Sequence, residues 1–189
     1  MLSYVTDSRR SNSSTNHRFS IVPTTWGVVG LMGTPDCLQR VMLPSTCDQM
    51  KALELIQRQF PQATRDSGYC HDLQPQIRSY FNGHGVDFHA VVDLSGLSAF
   101  AQDVLQGCAA IPAGQTQTYG QLAEQVGRSG AARAVGSALA ANPLPLIIPC
   151  HRVVGTSGKM CGFSGPGGIS TKQRLLDLER QAILAEPAA

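Results

Sequence analysis

The sequence lacks the features that mark several large classes of protein. Only 15% of its 189 residues are charged, and its 15 lysines and arginines are nearly balanced by 13 aspartates and glutamates, for a formal net charge of +2. So small a surplus does not predict a surface that holds polyanions by charge alone, and any nucleic-acid-binding surface must be local. No run approaches the roughly 18 apolar residues of a membrane span, and the first twenty residues lack the apolar block of a secretory signal. We therefore expect a cytoplasmic protein, or a nuclear one in a eukaryote, that binds no membrane.

The cysteines form no Cys-x-x-Cys pair. Six are present, at positions 37, 47, 70, 108, 150 and 161. Without compact spacing or a secretory signal, reduced thiols are expected rather than disulfides or a zinc site. Cys37, Cys47 and the neighbours Cys70 and His71 match no compact ligand pattern, so we predict no metal and no other cofactor.

The composition is that of a globular protein of one or two domains. Hydrophobic residues make up 42% of the chain, which is enough to bury a core. The polar residues 1–20 predict a flexible tail. Residues 21–93 predict an N-terminal α/β domain of structural role, and residues 94–189 a mostly helical C-terminal domain. The expected fold class is therefore α+β.

The N-terminal domain is expected to combine a β-hairpin with helices. The predicted elements are strands at 26–32 and 38–43, helices at 49–60 and 73–81, and a strand at 86–92. A turn-forming Gly-Thr-Pro-Asp at 33–36 separates the first two strands, which indicates a hairpin. Thr46 and Gln49 have the spacing of a capping box at the start of the first helix.

A helix-turn-helix is the main expectation for the C-terminal domain. An apolar stripe predicts a helix over 100–111, and Thr118 with Gln121 forms a capping box for a second helix that ends near Gly127. A Ser-Gly turn then leads to a third helix over 131–141, made almost wholly of small residues. Such a pair of short helices is typical of a helix-turn-helix of the winged-helix kind, although an ordinary helical hairpin shares the pattern.

Arg133 favours the DNA-binding interpretation of these two helices. It is the single long cation of the Ala-rich helix and stands near its N-terminus. Small side chains let a helix backbone approach another surface closely, and a lone arginine inserted into the minor groove can open or kink a duplex. A transcriptional regulator that reads the major groove would instead present varied polar side chains.

Cys150 is the candidate nucleophile. Asn142-Pro143 ends the Ala-rich helix, and an apolar segment that we expect to be extended runs from there into Cys150 and His151. A cysteine reacts as its thiolate, so it needs a neighbouring base, and His151 can serve. Adjacent side chains of a strand point to opposite faces, so we expect a water to bridge the two rather than direct contact. A buried, inert thiol beside an incidental histidine is the alternative.

Glu179 is the candidate partner of His151. It falls on the apolar stripe of the last predicted helix, whose stripe residues are Leu175, Leu176 and Ile183 and whose cap is expected from Ser170 and Gln173. A carboxylate in such a stripe is costly unless it is paired, so we predict a chain from Cys150 through water and His151 to Glu179. The alternative is a tilted helix with Glu179 at the solvent edge.

Three blocks together resemble the O6-alkylguanine-DNA alkyltransferase family, also known as the methylated-DNA–protein-cysteine methyltransferases. They are Ile-Pro-Cys-His-Arg-Val-Val at 148–154, Ala-Ala-Arg-Ala-Val-Gly at 131–136 and Asn-Pro-Leu-Pro at 142–145. The resemblance covers about residues 26–181. It implies that Cys150 takes the alkyl group from O6 of a modified guanine once and irreversibly, and that O4-alkylthymine is a further candidate substrate.

The resemblance also assigns roles to the residues that match the family's motifs. The implied catalytic residues are Cys150, His151, Glu179 and Tyr119, the last donating a proton to the departing guanine. The implied DNA- and substrate-binding residues are Ala131, Ala132, Arg133, Gly136, Asn142, Val153, Phe163 and Ser164. Arg133 matches the arginine that replaces the flipped nucleotide, Asn142 the asparagine between helix and nucleophile, and Val153 a backbone contact to the guanine amine. The partner implied is double- or single-stranded DNA carrying O6-alkylguanine, bound by a monomer, with cooperativity left open.

Two departures from the family pattern concern the loop at 162–168 and the first domain. Phe163 stands where tyrosine is common, and the loop is about two residues longer than usual, so the width of the pocket is open. Family members can carry zinc in the first domain, but the cysteines and histidines here do not reproduce that site. The alternatives are a non-enzymatic lesion sensor of the related alkyltransferase-like type, which Cys150 disfavours, and a cysteine hydrolase.

Overall fold

The structure is a computed structural model that describes residues 2–5, 16–45 and 48–185. Two compact units follow each other along the chain, Met1–Gly96 and Leu97–Ala189. The first is built around a sheet and the second is mostly helical. The predicted α+β fold class is confirmed.

Over its described residues, the first unit is a mixed sheet with two helices. Its strands are β1 (Leu2–Val5), β2 (Arg18–Thr24), β3 (Gly27–Thr34), β4 (Cys37–Met42), β5 (Thr64–Arg65) and β6 (Ala90–Asp93), and its helices are α1 (Gln49–Gln59) and α2 (Leu73–Phe81). Within the described residues the strand order is β1-β6-β4-β3-β2-β5. The β3–β4 pair is antiparallel and confirms the predicted hairpin. All residues of β3 are buried, and its sequence is accordingly an almost continuous run of apolar residues and glycines.

Three expectations for the first unit are wrong or lie outside the described residues. The tail expected over residues 1–20 is wrong for Leu2–Val5, which pairs in parallel with β6, and for the residues from Arg18 onward, which begin β2. Thr46 lies outside the described residues, and the cap of α1 is the Asp48 carboxylate, which accepts hydrogen bonds from two backbone N–H groups. The strand expected over 86–92 covers only Ala90–Asp93.

In the part that the structure describes, the second unit combines four helices with a short parallel strand pair. Its elements, over the described residues, are α3 (Ala99–Ala109), β7 (Gln117–Thr118), α4 (Tyr119–Gln125), α5 (Ala132–Ala140), β8 (Val153–Val154) and α6 (Gly168–Ala185), with 3₁₀ turns at Cys150–Arg152 and Thr156–Gly158. Its core residues include Val104, Leu105, Leu122, Val135, Leu144 and Leu175. No helix of the described part is both long enough and apolar enough to span a bilayer.

The helix-turn-helix elements form where the sequence predicted them. Thr118 Oγ1 accepts a hydrogen bond from the backbone N–H of Gln121, and Gln121 Oε1 accepts one from Thr118, so the capping box is confirmed. Gly127 follows α4 with φ 70°, a left-handed conformation that terminates a helix at little cost only when the residue is glycine. The beginning of α6, by contrast, was misplaced: the helix starts at Gly168, so Ser170 lies inside it and is not its cap.

Candidate active site and DNA-binding surface

Cys150 lies on a 3₁₀ turn and not on the strand expected from the sequence. The preceding segment turns back on itself through a bridge between Pro145 and Ile148, and Leu146 has φ 78°. A buried leucine in this left-handed region costs free energy, so the surrounding structure must hold it there. Prolines cannot supply the donors that a regular strand needs, which is the physical reason that the apolar run does not join a sheet.

Asn142 holds the segment that leads to the nucleophile. Its Nδ2 donates to the carbonyl of Ile148 at 2.9 Å, and its Oδ1 accepts from the backbone N–H of Leu144 at 2.9 Å. One side chain at the end of α5 therefore braces both ends of the turn that precedes Cys150. This contact joins α5 to the nucleophile, as the resemblance implied for Asn142.

His151 and Glu179 are in direct contact. His151 Nε2 lies 2.8 Å from Glu179 Oε1, and both side chains are buried. Because a carboxylate only accepts, Nε2 carries the proton in the neutral ring and Nδ1 is left as the acceptor. Nδ1 is buried and has no hydrogen-bond partner among the described residues. It does not bond directly to the Cys150 sulfur, and the bridging water stays a prediction.

Arg152 is a member of this network that the sequence reasoning missed. Its Nε and Nη2 both donate to the Glu179 carboxylate, and its Nη1 donates to the carbonyl of Ile111. Glu179 thus stands between an imidazole and a guanidinium. The signal was present in the sequence, since a paired glutamate inside an apolar stripe calls for a buried cation, and the residue after His151 supplies one.

The pKa values of Cys150 and His151 follow from burial and from the contacts of the two side chains. Burial raises the pKa of the Cys150 thiol, while the Asn142 amide, the Lys172 ammonium and nearby backbone N–H groups oppose that rise. Burial lowers the pKa of His151, against the influence of Glu179. The resting pair is therefore a neutral thiol and a neutral imidazole, and the thiolate must form as the reaction proceeds.

The Glu179 carboxylate is held ionised. Burial alone would raise its pKa, but hydrogen bonds from His151 and Arg152 lower it to about 2. A negative charge facing Nε2 stabilises the imidazolium that forms when Nδ1 takes a proton. This arrangement favours His151 as a proton acceptor, a role that stays a prediction.

Lys172 is a second buried cation that the sequence reasoning missed. It is 1% exposed, and its Nζ donates to the carbonyls of Val153 at 2.6 Å and Cys161 at 3.0 Å. Nζ also lies 5.8 Å from the centre of the Tyr119 ring. The helical spacing that picked out Glu179 picks out Lys172 seven residues earlier on the same face.

A cavity of about 290 Å³ opens beside Cys150. Its lining residues are Tyr119, Gly136, Leu139, Ala140, Cys150, Gly162, Phe163 and Ser164. Four of the predicted site residues besides Cys150 therefore meet around one space. Burial raises the pKa of Tyr119, so its hydroxyl stays protonated and can donate.

The remaining predicted residues lie outside the lining of this cavity. Arg133 is exposed on α5, as a residue that contacts DNA must be, and Ala131 and Ala132 precede it at the helix start. The Val153 carbonyl, expected to bind the guanine amine, already accepts from Lys172. Its second lone pair leaves that role a prediction. In the described part of the chain, no three His, Cys, Asp or Glu side chains are grouped so as to hold a metal ion.

Comparison with known proteins identifies the family. The model of the 6-O-methylguanine DNA methyltransferase DNA-binding domain matches residues 99–181. A methylated-DNA–protein-cysteine methyltransferase of Mycobacterium bovis is 43% identical over 123 residues, which are 65% of this chain and 73% of that protein. The chain belongs to the methylated-DNA–protein-cysteine methyltransferase family. The resemblance seen in the sequence is thereby confirmed. So is the enzyme class, a methyltransferase that repairs DNA by transferring the alkyl group to a cysteine of the protein.

Other relatives extend the comparison. The Salmonella typhimurium methyltransferase is 42% identical over 112 residues, or 59% of this chain and 64% of that one. Mycobacterium tuberculosis OGT, in a crystal structure with DNA, superposes with a TM-score of 0.71 at 32% identity, covering 87% of this chain and 94% of OGT. The similarity to OGT spans both units of the fold.

Proposed function

We propose that the protein repairs DNA by a single, stoichiometric transfer of an alkyl group from O6 of guanine to Cys150, after the damaged nucleotide has turned out of the duplex. The observation that carries the proposal is the cavity of about 290 Å³, which Cys150 lines together with Tyr119 while His151 and Glu179 stand paired behind it. Its volume is at the lower end of the range for small-ligand pockets. A single nucleobase is a ligand of that class.

The chemistry follows from the atoms that line and support the cavity. As the bond between the alkyl carbon and the Cys150 sulfur forms, the bond from that carbon to guanine O6 breaks. The thiol proton passes through water to Nδ1 of His151, whose imidazolium is stabilised by Glu179. The guanine leaves with the electron pair of the broken bond, and the Tyr119 hydroxyl, kept protonated by burial, donates to it.

The nucleotide must leave the duplex because an alkyl carbon in the base stack cannot be reached from behind. Extrusion costs a few kcal/mol. The exposed Arg133 on the small-residue helix α5 is suited to enter the minor groove and fill the space left in the stack. With a net charge of only +2, binding is expected to be modest and to rest on backbone contacts, which suits damage that arises in any sequence.

Each molecule acts once because the product is a thioether. Removal of its alkyl group would need a nucleophile stronger than the thiolate that accepted it. The alternative of a lesion sensor has no use for a base-supported thiol at the cavity, and the alternative of a hydrolase would need His151 aimed at a water beside an acyl group. O4-alkylthymine, whose pyrimidine ring is smaller than the purine of guanine, is proposed as a secondary substrate.

Intact-protein mass spectrometry tests the proposal. Reduced protein mixed with a duplex that carries one O6-methylguanine should gain one methyl group in exchange for one hydrogen, on the peptide that contains Cys150. Cys150→Ser should gain none, and Cys70→Ser, a matched control at a half-buried cysteine of the first unit, should still be methylated at Cys150. Methylation at another residue, or none in the fresh reduced protein, would reject the proposal. A duplex with O4-methylthymine, run in parallel, tests the second substrate.

A further inference from the structure

Gly155 is a glycine for reasons of space and not of backbone conformation. Its φ of −73° and ψ of 173° are open to any residue. A Cβ added there would lie 2.7 Å from the Cys161 sulfur and 3.0 Å from the carbonyl oxygen of Lys159, both closer than van der Waals contact allows. The sulfur of Cys161 therefore sits in a notch that exists only because residue 155 has no side chain.

The notch lies at the base of a closed loop. Gly155 N–H donates to the carbonyl of Lys159 at 2.8 Å. The loop has two arms, residues 153–155 and residues 159–161. Lys172 Nζ donates to the carbonyl of Val153 on the first arm and to that of Cys161 on the second. The two arms are thus tied by a buried cation and packed together through the glycine–sulfur contact.

This loop joins two parts of the cavity. One arm follows the 3₁₀ turn that carries Cys150, and the other leads directly into Gly162, Phe163 and Ser164, which line the cavity. The cysteine of the second arm is half-buried and is not itself part of the lining. The spacing between the nucleophile and the loop that faces the substrate is consequently set by how closely the two arms approach.

We propose that the contact between Gly155 and Cys161 sets the width of the nucleotide cavity, and that this pair thereby decides how large an alkyl adduct the protein accepts. Cys161 is a positioning residue in this proposal, since it acts through Gly162, Phe163 and Ser164. The proposal rests on the function proposed above, because adduct size matters only if the cavity receives the damaged base.

The test is a double-mutant cycle read out with two adducts. Second-order rate constants for transfer to Cys150 are measured for duplexes with O6-methylguanine and O6-benzylguanine, and the ratio of benzyl to methyl is compared. The Cβ of Gly155→Ala meets the Cys161 sulfur and the Lys159 carbonyl oxygen, so it pushes the second arm away from the first and widens the cavity. We expect the ratio of benzyl to methyl transfer to rise about tenfold, because the wider cavity favours the bulky adduct and leaves methyl transfer less affected.

Restoration by the second substitution is the decisive result. In Gly155→Ala with Cys161→Ala, the new methyl group occupies the space that the sulfur has left, so the ratio should return to within about twofold of the wild type. Gly96→Ala is the matched control, because a Cβ there meets nothing within 4 Å. A general loss of stability would lower both rates and the unfolding midpoint without changing the ratio.

The outcomes separate the two proposals. A ratio unchanged in Gly155→Ala, or one that Cys161→Ala fails to restore, overturns the width proposal while methyl transfer to Cys150 in the wild type stands. Absence of methyl transfer in the wild type overturns the function itself. If Gly155→Ala does not fold, Cys161→Val enlarges the same contact from the loop side and must raise the same ratio.

Discussion

Arg152 and Glu179 form a bidentate ion pair in the interior of the second unit. Arg152 Nε lies 3.0 Å from Glu179 Oε2 and Nη2 lies 2.8 Å from Oε1, and Oε1 also accepts a hydrogen bond from His151 Nε2. Two parallel hydrogen bonds fix the plane of the carboxylate. Arg152 therefore orients the Glu179 carboxylate, which in turn orients the His151 ring.

The losses of stability from removing Arg152 and from removing Glu179 should be coupled and not additive. In Arg152→Met, Glu179 keeps a buried charge with one cation fewer, and we expect the free energy of unfolding to fall by about 3 kcal/mol. Arg152→Met combined with Glu179→Gln should lose less than the two single variants summed, because the buried charge is gone. Urea denaturation measures all four proteins, with the exposed Arg128→Met as control. Additive losses would show that the pair is not coupled.

Glu179 should make the fold sensitive to acid. Its pKa of about 2 in the folded state lies below its ordinary value of 4.5, so the unfolded chain binds the proton more readily. The stabilisation, about 3 kcal/mol, is complete above pH 4.5 and is lost as the pH falls towards 2. His151, whose pKa burial lowers, adds a loss of the same sign below its ordinary value of 6.5.

Glu179→Gln separates these contributions. The variant should lose the part of the acid dependence between pH 4.5 and 2, and at neutral pH its alkyl transfer should be slower by on the order of 10²-fold, because the amide does not stabilise an imidazolium. Thermal unfolding across pH and the transfer rate are the two measurements. A wild-type rate in a folded variant would reduce Glu179 to a structural role.

The sequence predicted the parts of this site that depend on local pattern. The capping box of Thr118 and Gln121 is a contact between neighbours along the chain, and the burial of Glu179 follows from helical spacing, so both were recoverable. The pattern on α6 was still only approximate, because Ile183 on the expected stripe is 46% exposed. The spacing argument assumes that one face of the helix is buried along its whole length. It fails at Ile183 because the end of α6 is exposed to solvent.

The features that the sequence did not predict depend on distant contacts or on strain. Before the 3₁₀ turn at Cys150, Leu146 adopts a left-handed conformation that the local propensity of leucine opposes. The segment is held by the hydrogen bond from the Asn142 side chain to the carbonyl of Ile148, six residues further along the chain. The parallel pairing of Leu2–Val5 with β6 joins segments almost ninety residues apart. Such pairings leave no local signal in a polar opening segment.

Arg133 should matter for duplex DNA and not for the chemical step. Arg133→Ala removes the exposed cation proposed to enter the groove, while the cavity and Cys150 are unchanged. Repair of O6-methylguanine in a duplex should fall by about tenfold or more, as expected for a contribution of about 1–2 kcal/mol to extrusion. Reaction with free O6-benzylguanine base should stay within about twofold. Rates can be followed by mass spectrometry, with Arg128→Ala as a second exposed arginine for control, and equal losses in both assays would exclude a role in flipping.

Lys172→Met tests whether the buried ammonium supports both the loop and the nucleophile. The substitution leaves the carbonyls of Val153 and Cys161 without their donor, at a cost of about 2–3 kcal/mol in the free energy of unfolding. It also removes a charge that lowers the pKa of Cys150, so that pKa should rise. The pH dependence of Cys150 alkylation by iodoacetamide measures that shift, and Lys159→Met, an exposed lysine of the same loop, is the control. If the variant is destabilised but the pKa of the Cys150 thiol is unchanged, Lys172 holds the loop and has no effect on the nucleophile.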